Sequence, residues 1–266
     1  MGRMQRQMGS VEKLRCGAVC CCLAVMLPFT VRAADLVDTI ARIKPSIVAV
    51  GTAEKLRKPS VVIKGSGFVV GDGKQVITNA HVVEGAGELE SNAQIAVFSG
   101  TDGDPDMRLA EVVAKDVVHD VALLRIQGAP LPALTLGDAA MVREGEQYAF
   151  TGFPLGMMLG LFPVTHQAII SAITPISVPA NSGNELSAAQ IRQLRNSFKV
   201  FQLDATAYPG NSGSPLYDPA NGQVVGVINK VFVQEGKEHV IDRPSGISYA
   251  VPIEYAKSLL LRMREK

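Results

Sequence analysis

The sequence predicts an all-β fold made of two packed antiparallel barrels, with a short helix near the C-terminus. About twelve short runs rich in Val, Ile, Phe and Thr are separated by Gly, Pro, Asn and Asp, which is the pattern of strands joined by turns. Helical spacing of apolar residues is confined to the edges of this region. The chain has 266 residues, 47% of them hydrophobic, so it can bury a sizeable core as one domain.

The segment before the first strand is predicted to be a secretory signal peptide over residues 1–33. Basic residues precede an apolar run from Cys16 to Val31, and Val31-Arg32-Ala33 offers small residues at the two positions that a signal peptidase reads. An uncleaved membrane anchor is the alternative, but this run of 16 residues is shorter than the roughly 20 needed to cross a bilayer. We therefore expect export to the periplasm or beyond, with a mature domain over residues 34–266.

The leader also holds all four cysteines, at positions 16, 20, 21 and 22. A mature chain would therefore have neither a disulfide nor a cysteine nucleophile. Cleavage would leave 21 basic and 24 acidic residues, a net charge of −3. This balance argues against nucleic acid as a partner.

Two amphipathic segments flank the strands. Leu36–Ile43 opens the mature chain, and Pro252–Glu265 ends it with Tyr255, Leu259 and Leu260 on one face. Between Pro179 and Lys199 the chain turns polar, and Ser187-Ala188-Ala189-Gln190 has the spacing of a capping box, which predicts a short helix within a long loop.

The predicted strands are, in order, Ser46–Val50, Val61–Val70, Gln75–Val83, Ala93–Phe98, Leu109–Lys115, Val121–Ile126, Glu146–Gly152, Val164–Ile173, Val200–Ala205, Ser214–Tyr217, Gln223–Val233 and Ile247–Val251.

The segment Gly210-Asn211-Ser212-Gly213-Ser214-Pro215 carries the clearest chemical signal. It holds a serine between two glycines in a strand-turn-strand setting, which presents a hydroxyl beside backbone donors. A serine becomes nucleophilic only when a histidine takes its proton and a carboxylate orients that histidine. Thr78-Asn79-Ala80-His81-Val82-Val83 and His119-Asp120-Val121-Ala122-Leu123-Leu124-Arg125 supply both upstream. We predict a catalytic triad of His81, Asp120 and Ser212.

These three motifs, in this order and at these separations, resemble the chymotrypsin-fold serine peptidases, specifically the bacterial HtrA/Deg-like branch. The resemblance runs from about Ile47 to about Leu261. It implies a chymotrypsin-like double barrel and an endopeptidase that acts on protein or peptide substrates without a cofactor. Further matching motifs are Gly65-Ser66-Gly67-Phe68, Leu136-Gly137-Asp138, Gly152-Phe153-Pro154-Leu155-Gly156 and Gly246-Ile247-Ser248-Tyr249-Ala250-Val251-Pro252.

The resemblance also implies a role for each catalytic residue. Ser212 would attack a carbonyl carbon, His81 would transfer the proton, and Asp120 would orient the imidazole. The oxyanion hole would be formed by the loop of Gly210, Asn211 and Ser212, with the N–H groups of Gly210 and Ser212 as donors. The polar 179–199 segment corresponds to a regulatory loop of the family, and a solvated surface insertion is the alternative.

The specificity pocket is also implied by the resemblance. Thr206 stands six residues before the nucleophile, where trypsin-like enzymes carry an acid. Ile228 and Lys230 on one strand, with Ile247 and Tyr249 on another, are expected to form the walls. Ile247 occupies a position that is often glycine in large-pocket relatives, so it is expected to fill the pocket floor and favour small or medium aliphatic residues. An inward-turned Lys230 would instead favour an acidic residue.

The remaining histidines have simpler expected roles. His119 should point away from Asp120 in an extended chain, so we interpret it as structural. His166 and His239 have no companion motif, and they too are expected to be structural. Paired-cysteine and H-E-x-x-H patterns are absent from the sequence, so no zinc or other metal site is predicted.

Two expectations concern assembly. The chain ends soon after the predicted closing helix, which leaves no room for the PDZ domain that many HtrA-like proteins carry. The stretch Ala34–Pro45 lacks the aromatic residues that help relatives to trimerise, so a homo-oligomer is possible but a trimer is not assured.

Three functions fit the sequence. An exported serine endopeptidase in envelope protein quality control or processing is the first. A catalytically silent chaperone or binding module on the same fold is the second, although the complete triad argues against it. A glutamyl-endopeptidase-like enzyme is the third, although Ile228 stands where a histidine would be expected to read the substrate carboxylate.

Overall fold

The computed structural model describes residues 36–54, 58, 60–84, 93–100, 105–155, 160–175, 198–229 and 246–264. Within these ranges the chain forms two closed barrels of six antiparallel strands each, which confirms the predicted fold class. The predicted signal peptide, the capping-box helix, Lys230 and His239 lie outside the described residues.

The first barrel is built from the N-terminal half of the chain. Its strands follow each other around the barrel in the order β1, β2, β3, β6, β5, β4, and β4 pairs with β1 to close it. Its strands are β1 (Ile47–Ala53), β2 (Val61–Val70), β3 (Gln75–Thr78), β4 (Gln94–Ser99), β5 (Asp106–Asp116) and β6 (Val121–Ile126).

The second barrel repeats this arrangement in the C-terminal half. Its order is β10, β11, β12, β9, β8, β7, and β7 pairs with β10 to close it. Its strands are β7 (Gln147–Gly152), β8 (Val164–Pro175), β9 (Lys199–Asp204), β10 (Pro215–Tyr217), β11 (Val224–Asn229) and β12 (Ile247–Pro252).

Two α-helices flank the barrels in the described ranges, α1 (Leu36–Ile43) and α2 (Glu254–Arg264). The predicted amphipathic face of α2 packs inward, with Ala256 and Leu259 buried in the shared core. Neither helix combines the length and apolar character needed to cross a membrane. Short 3-10 turns lie at Lys44–Ser46, His81–Val83 and Ala139–Met141.

The third strand ends earlier than the sequence predicts. A strand over Gln75–Val83 is wrong beyond Thr78, because the chain turns there into the 3-10 segment His81–Val83. Hydrogen bonds explain the change: the Asn79 side chain donates to the Asp120 carbonyl oxygen over 2.9 Å, and His81 N donates to the Asp120 carboxylate over 2.8 Å. These long-range bonds replace the ladder bonds of a continued strand.

The connection between the barrels is bonded to both of them. Leu134 N donates to Val69 O in the first barrel, and Gly137 N donates to Val224 O in the second, each over 2.8 Å. Asp138 then caps the 3-10 turn that follows by accepting from Ala140 N over 2.9 Å. The Leu136-Gly137-Asp138 motif is therefore the join between the barrels.

Within the described ranges, the buried apolar residues form three clusters. One lies within the first barrel and includes Val76 and Leu124, and one lies within the second and includes Phe150 and Leu203. The third contains residues of both barrels and of α2, among them Phe68, Ile77, Phe153, Tyr217 and Leu259. This shared cluster packs the two barrels against each other.

Leu203 and Leu261 allow a matched test of this core. Leu203 is fully buried in the second barrel, whereas Leu261 on α2 is 59% exposed. Leu203→Ala should lower the free energy of unfolding by about 2–5 kcal/mol, because it removes buried methyl groups and leaves a cavity. Leu261→Ala should change it by no more than about 0.5 kcal/mol. Urea unfolding of both variants checks this, and equal losses would contradict the assignment of the core.

Candidate active site

Asp120 is held in an unusual backbone conformation at the end of the turn between β5 and β6. Its φ angle is 52°, in the left-handed region that Asp adopts more readily than most residues. The Asn79 side chain fixes this turn by donating to the Asp120 carbonyl oxygen. The first barrel therefore presents the carboxylate from a tethered turn.

The Asp120 carboxylate binds His81 through two hydrogen bonds. One oxygen accepts from the backbone N–H of His81 over 2.8 Å, and the other lies 2.6 Å from the ring Nδ1. An ionised carboxylate can only accept, so Nδ1 carries the hydrogen and Nε2 is left to accept a proton. The acid thereby selects both the tautomer and the direction of the imidazole.

A third donor to Asp120 comes from the second barrel, and the sequence analysis missed it. Asn229 is fully buried at the end of β11, and its Nδ2 donates to the Asp120 carboxylate over 2.7 Å. With these partners the side chain of Asp120 is only 14% exposed. Asn229 ends the otherwise apolar strand β11, and this polar residue in an apolar run was the feature that could have marked it as functional.

Ser212 lies in the loop before β10, where it is 5% exposed. Its carbonyl oxygen accepts from Ser66 N on β2 over 2.8 Å, which ties the second barrel to the first. A β-carbon on Gly65 would lie 2.7 Å from the Val82 side chain and 2.8 Å from Ser212 O. The glycine therefore allows the segments that carry His81 and Ser212 to pack against the same point of β2.

The hydroxyl of Ser212 and the ring of His81 share no hydrogen bond in the part of the chain that the structure describes. Such bonds are often long in unliganded enzymes and tighten only when substrate binds. The structure thus brings His81 and Asp120 into direct contact and places Ser212 on the adjoining loop.

Gly210 gives the loop before Ser212 its shape. Its φ angle is +97°, and a β-carbon there would collide with Phe153 O, so a side chain is excluded. Asn211 N donates to Tyr208 O over 3.0 Å and is not free to bind an oxyanion. Among the described residues, the N–H groups of Gly210 and Ser212 have no protein acceptor, which leaves them as the possible donors.

The predicted pocket residues lie on different faces of the second barrel. Tyr249 is directly opposite Asn229 in the β11–β12 pair, so it shares the face that reaches Asp120. Ile247, two residues earlier on β12, lies on that same face and is 45% exposed. Ile228 is fully buried in the core of the barrel, and Thr206 is half-buried after β9.

Ser248 links two of these segments and was also missed by the sequence analysis. Its hydroxyl donates to Ala205 O over 2.6 Å and accepts from Ala207 N over 2.8 Å. The segment that contains Thr206 is therefore fastened to β12, next to Ile247. The assignment of Ile247 to a pocket floor stays a prediction.

His119 makes the contacts of a structural residue. Its ring stacks on Tyr255 of α2 at 3.7 Å between centroids, and its Nδ1 lies 2.8 Å from the Asp116 carboxylate. Burial acts to raise the pKa of Asp116, but hydrogen bonds from the His119 side chain and backbone outweigh it, so the pKa lies below its usual value. These contacts anchor the turn that ends at Asp120.

In the described parts of the chain, His, Cys, Asp and Glu side chains form no group of three or more that could hold a metal ion. The arrangement of a hydrogen-bonded His–Asp pair beside a serine loop with free N–H groups suits acyl transfer at a carbonyl carbon.

The chain is similar in sequence to curated bacterial serine endoproteases. A DegP-like periplasmic serine endoprotease of Halomonas elongata is 32% identical over 201 residues, which are 75% of this chain and 35% of that protein. One from Pseudomonas putida is 32% identical over 72% of this chain and 33% of that protein. The chain thus spans about a third of the length of these curated relatives.

The fold comparison points to the same group. The solved HtrA-type protease AlgW, with a tripeptide, superposes with a TM-score of 0.61 at 26% identity, covering 85% of this chain and 62% of that chain. The family model described as a trypsin-like peptidase domain matches residues 65–227, more than half of the sequence. The chain therefore belongs to the trypsin-like peptidase domain family, as its motifs predict, with HtrA-type proteases among its relatives.

Proposed function

We propose that this protein is a serine endopeptidase that hydrolyses peptide bonds with Ser212, His81 and Asp120. The observation that carries the proposal is the 2.6 Å contact between His81 Nδ1 and the Asp120 carboxylate, next to a buried serine on a glycine-rich loop. The names of the relatives, which are serine endoproteases, support it.

In the proposed reaction, Ser212 Oγ attacks the carbonyl carbon of the scissile peptide bond. His81 Nε2 takes the hydroxyl proton and then delivers it to the leaving amine, which breaks the C–N bond and leaves an ester on Ser212. Water, deprotonated by His81, then cleaves the ester. Asp120 stabilises the positive imidazole in both steps, and Asn229 keeps the carboxylate oriented.

The negative oxygen of the tetrahedral intermediate is expected to bind the N–H groups of Gly210 and Ser212. Removal of one such donor commonly costs about 3–4 kcal/mol of transition-state stabilisation. A distorted loop would therefore lower the rate even if the triad were intact.

The proposed substrates are exported proteins or peptides. The HtrA-type protease AlgW was solved with a tripeptide, and the named relatives are endoproteases, which together support protein or peptide substrates. The relatives are named as periplasmic, which supports a place in envelope protein quality control or processing, with residues 1–33 removed on export.

A small or medium aliphatic residue is proposed at the cleaved position. Thr206 offers no charge for a basic residue, and Ile228 offers no imidazole for an acidic one. Ile247 lies on the face that also carries Tyr249 and the partner of Asp120, where it would limit the depth of a pocket.

Removal of any member of the triad should abolish most of the activity while the chain stays folded. Ser212→Ala, His81→Ala and Asp120→Asn should each slow casein hydrolysis by a factor on the order of 10⁴ or more, because the three groups act as a unit. A second substitution should therefore add little to the first. Thermal unfolding of each variant serves as the control for folding, and casein cleavage that persisted in Ser212→Ala would show that another group is the nucleophile.

Cleavage preference tests the pocket. In a peptide library analysed by mass spectrometry, Val or Ala at the cleaved position should be preferred over Arg, Phe and Glu. The ratio should be tens-fold, because one methylene in an apolar pocket changes the barrier by about 1–3 kcal/mol. Ile247→Gly should move the preference towards Leu or Phe.

Three outcomes would contradict this pocket. A preference for Arg or Lys would exclude an uncharged, apolar pocket. A preference for Glu or Asp would mean that Lys230 reads the substrate and would favour the glutamyl-endopeptidase alternative. An unchanged profile in Ile247→Gly would place this side chain outside the pocket.

A further inference from the structure

The hydroxyl of Ser66 joins the nucleophile loop to the end of β7. Ser66 lies on β2 and is fully buried. Its Oγ donates to Gly210 O over 2.7 Å and accepts from Phe153 N over 2.8 Å, so both hydrogen-bonding functions of the hydroxyl are used. Its backbone N–H donates to Ser212 O, and its carbonyl oxygen accepts from Thr78 Oγ1 over 2.7 Å.

These bonds fix the peptide planes on both sides of Gly210. Pro209 O accepts from Leu155 N over 2.6 Å, and Gly210 O accepts from the Ser66 hydroxyl. In a trans peptide the C=O and N–H groups point in opposite directions, so each bond to a carbonyl oxygen also aims the adjoining N–H. The Leu155 bond thus aims the Gly210 N–H, and the next plane is held at both ends, by the Ser66 hydroxyl on Gly210 O and by Tyr208 O on Asn211 N–H.

The side chain of the next residue gives the loop no such support. Asn211 is fully buried, yet within the described ranges neither atom of its amide has a hydrogen-bond partner. Among the described residues, Ser66 is the only one whose side chain forms a hydrogen bond to the backbone of residues 209–212. Because Gly210 has no β-carbon to restrict its backbone, the bond from Ser66 Oγ adds to the bond from Asn211 N to Tyr208 O in holding the loop.

We infer that Ser66 is a positioning residue for the oxyanion hole, acting through Gly210 O and Phe153 N. It would touch no reacting atom, but it would hold the Gly210 and Ser212 N–H groups in the direction that a developing oxyanion requires. The inference rests on the proposed function. It also gives a physical role to the two motifs around Ser66 and Phe153, which the triad leaves unexplained.

Ser214 offers a matched control for Ser66. It is also a fully buried serine, but its Oγ has no hydrogen-bond partner among the described residues. A β-carbon on Gly152 would contact both hydroxyls, so the two serine side chains lie close to each other. Ser214→Ala removes the same atom from the same surroundings without breaking a hydrogen bond.

The test compares two ligands of the full chain, a peptide aldehyde and the matching peptide alcohol. On aldehyde binding, Ser212 Oγ bonds to the carbonyl carbon, the π electron pair moves to oxygen, and the hydroxyl proton passes to His81. The negative oxygen formed in this way then needs the oxyanion hole. The alcohol carries a hydroxyl in place of the aldehyde group, so it forms no such oxygen and reports ground-state binding.

Ser66→Ala should weaken aldehyde binding by about ten- to a hundredfold, less than the hundred- to thousandfold that follows loss of a donor itself. It should also lower kcat with little change in KM. Alcohol binding should stay within about twofold, and Ser214→Ala should leave both affinities within about twofold. If Ser66→Ala does not fold, Ser66→Cys keeps the size and donates more weakly, so it should show an intermediate loss of aldehyde binding.

The contrary results separate this inference from the proposed function. Equal aldehyde affinity in Ser66→Ala and wild type, or equal weakening of both ligands, overturns the role of Ser66 while the proposed function stands. A wild-type protein that forms no adduct between the aldehyde and Ser212 overturns the proposed function, and the inference fails with it.

Discussion

The position of Asp120 is the constraint on which the rest of the site depends. Its carboxylate accepts from the backbone and ring of His81 in the first barrel and from Asn229 in the second. Asn79 holds the same residue through its carbonyl oxygen. Because one carboxylate has partners in both barrels, the docking of the barrels and the orientation of the imidazole are coupled. The shared apolar cluster and the bonded connection stabilise that docking.

The loop that carries Ser212, the proposed nucleophile, is also held where the two barrels meet. Ser212 belongs to the second barrel, but its carbonyl oxygen is bonded to β2 of the first, and Gly65 permits the close approach. The Ser66 hydroxyl extends this support to Gly210 and Phe153. The residues proposed as acid, base, nucleophile and oxyanion donors are thus held by a few bonds that cross between the barrels, and a core mutation that shifts one barrel would disturb all of them.

The sequence was sufficient to predict the two barrels, because apolar runs between turn residues are local patterns, and the proposed triad likewise rests on three local motifs. Apolar runs between turn residues marked strands such as Val61–Val70 and Val121–Ile126, which the structure reproduces. Partners separated by long stretches of chain were missed. Asn229 lies 109 residues from Asp120, and Ser66 lies 144 residues from Gly210, so no local pattern shows which residue is the partner of either side chain. β3 ends earlier than predicted for the same reason, because the bonds from Asn79 and His81 to Asp120 also join distant parts of the chain.

We propose that the contacts between the two barrels activate Ser212. The most direct test is the reaction of the purified mature protein with a fluorophosphonate, followed by mass spectrometry of the digested product, because only an assembled triad makes a serine react rapidly. We expect one adduct, on Ser212, with Ser214 two residues away unmodified. An unmodified protein, or an adduct on a different serine, would contradict it.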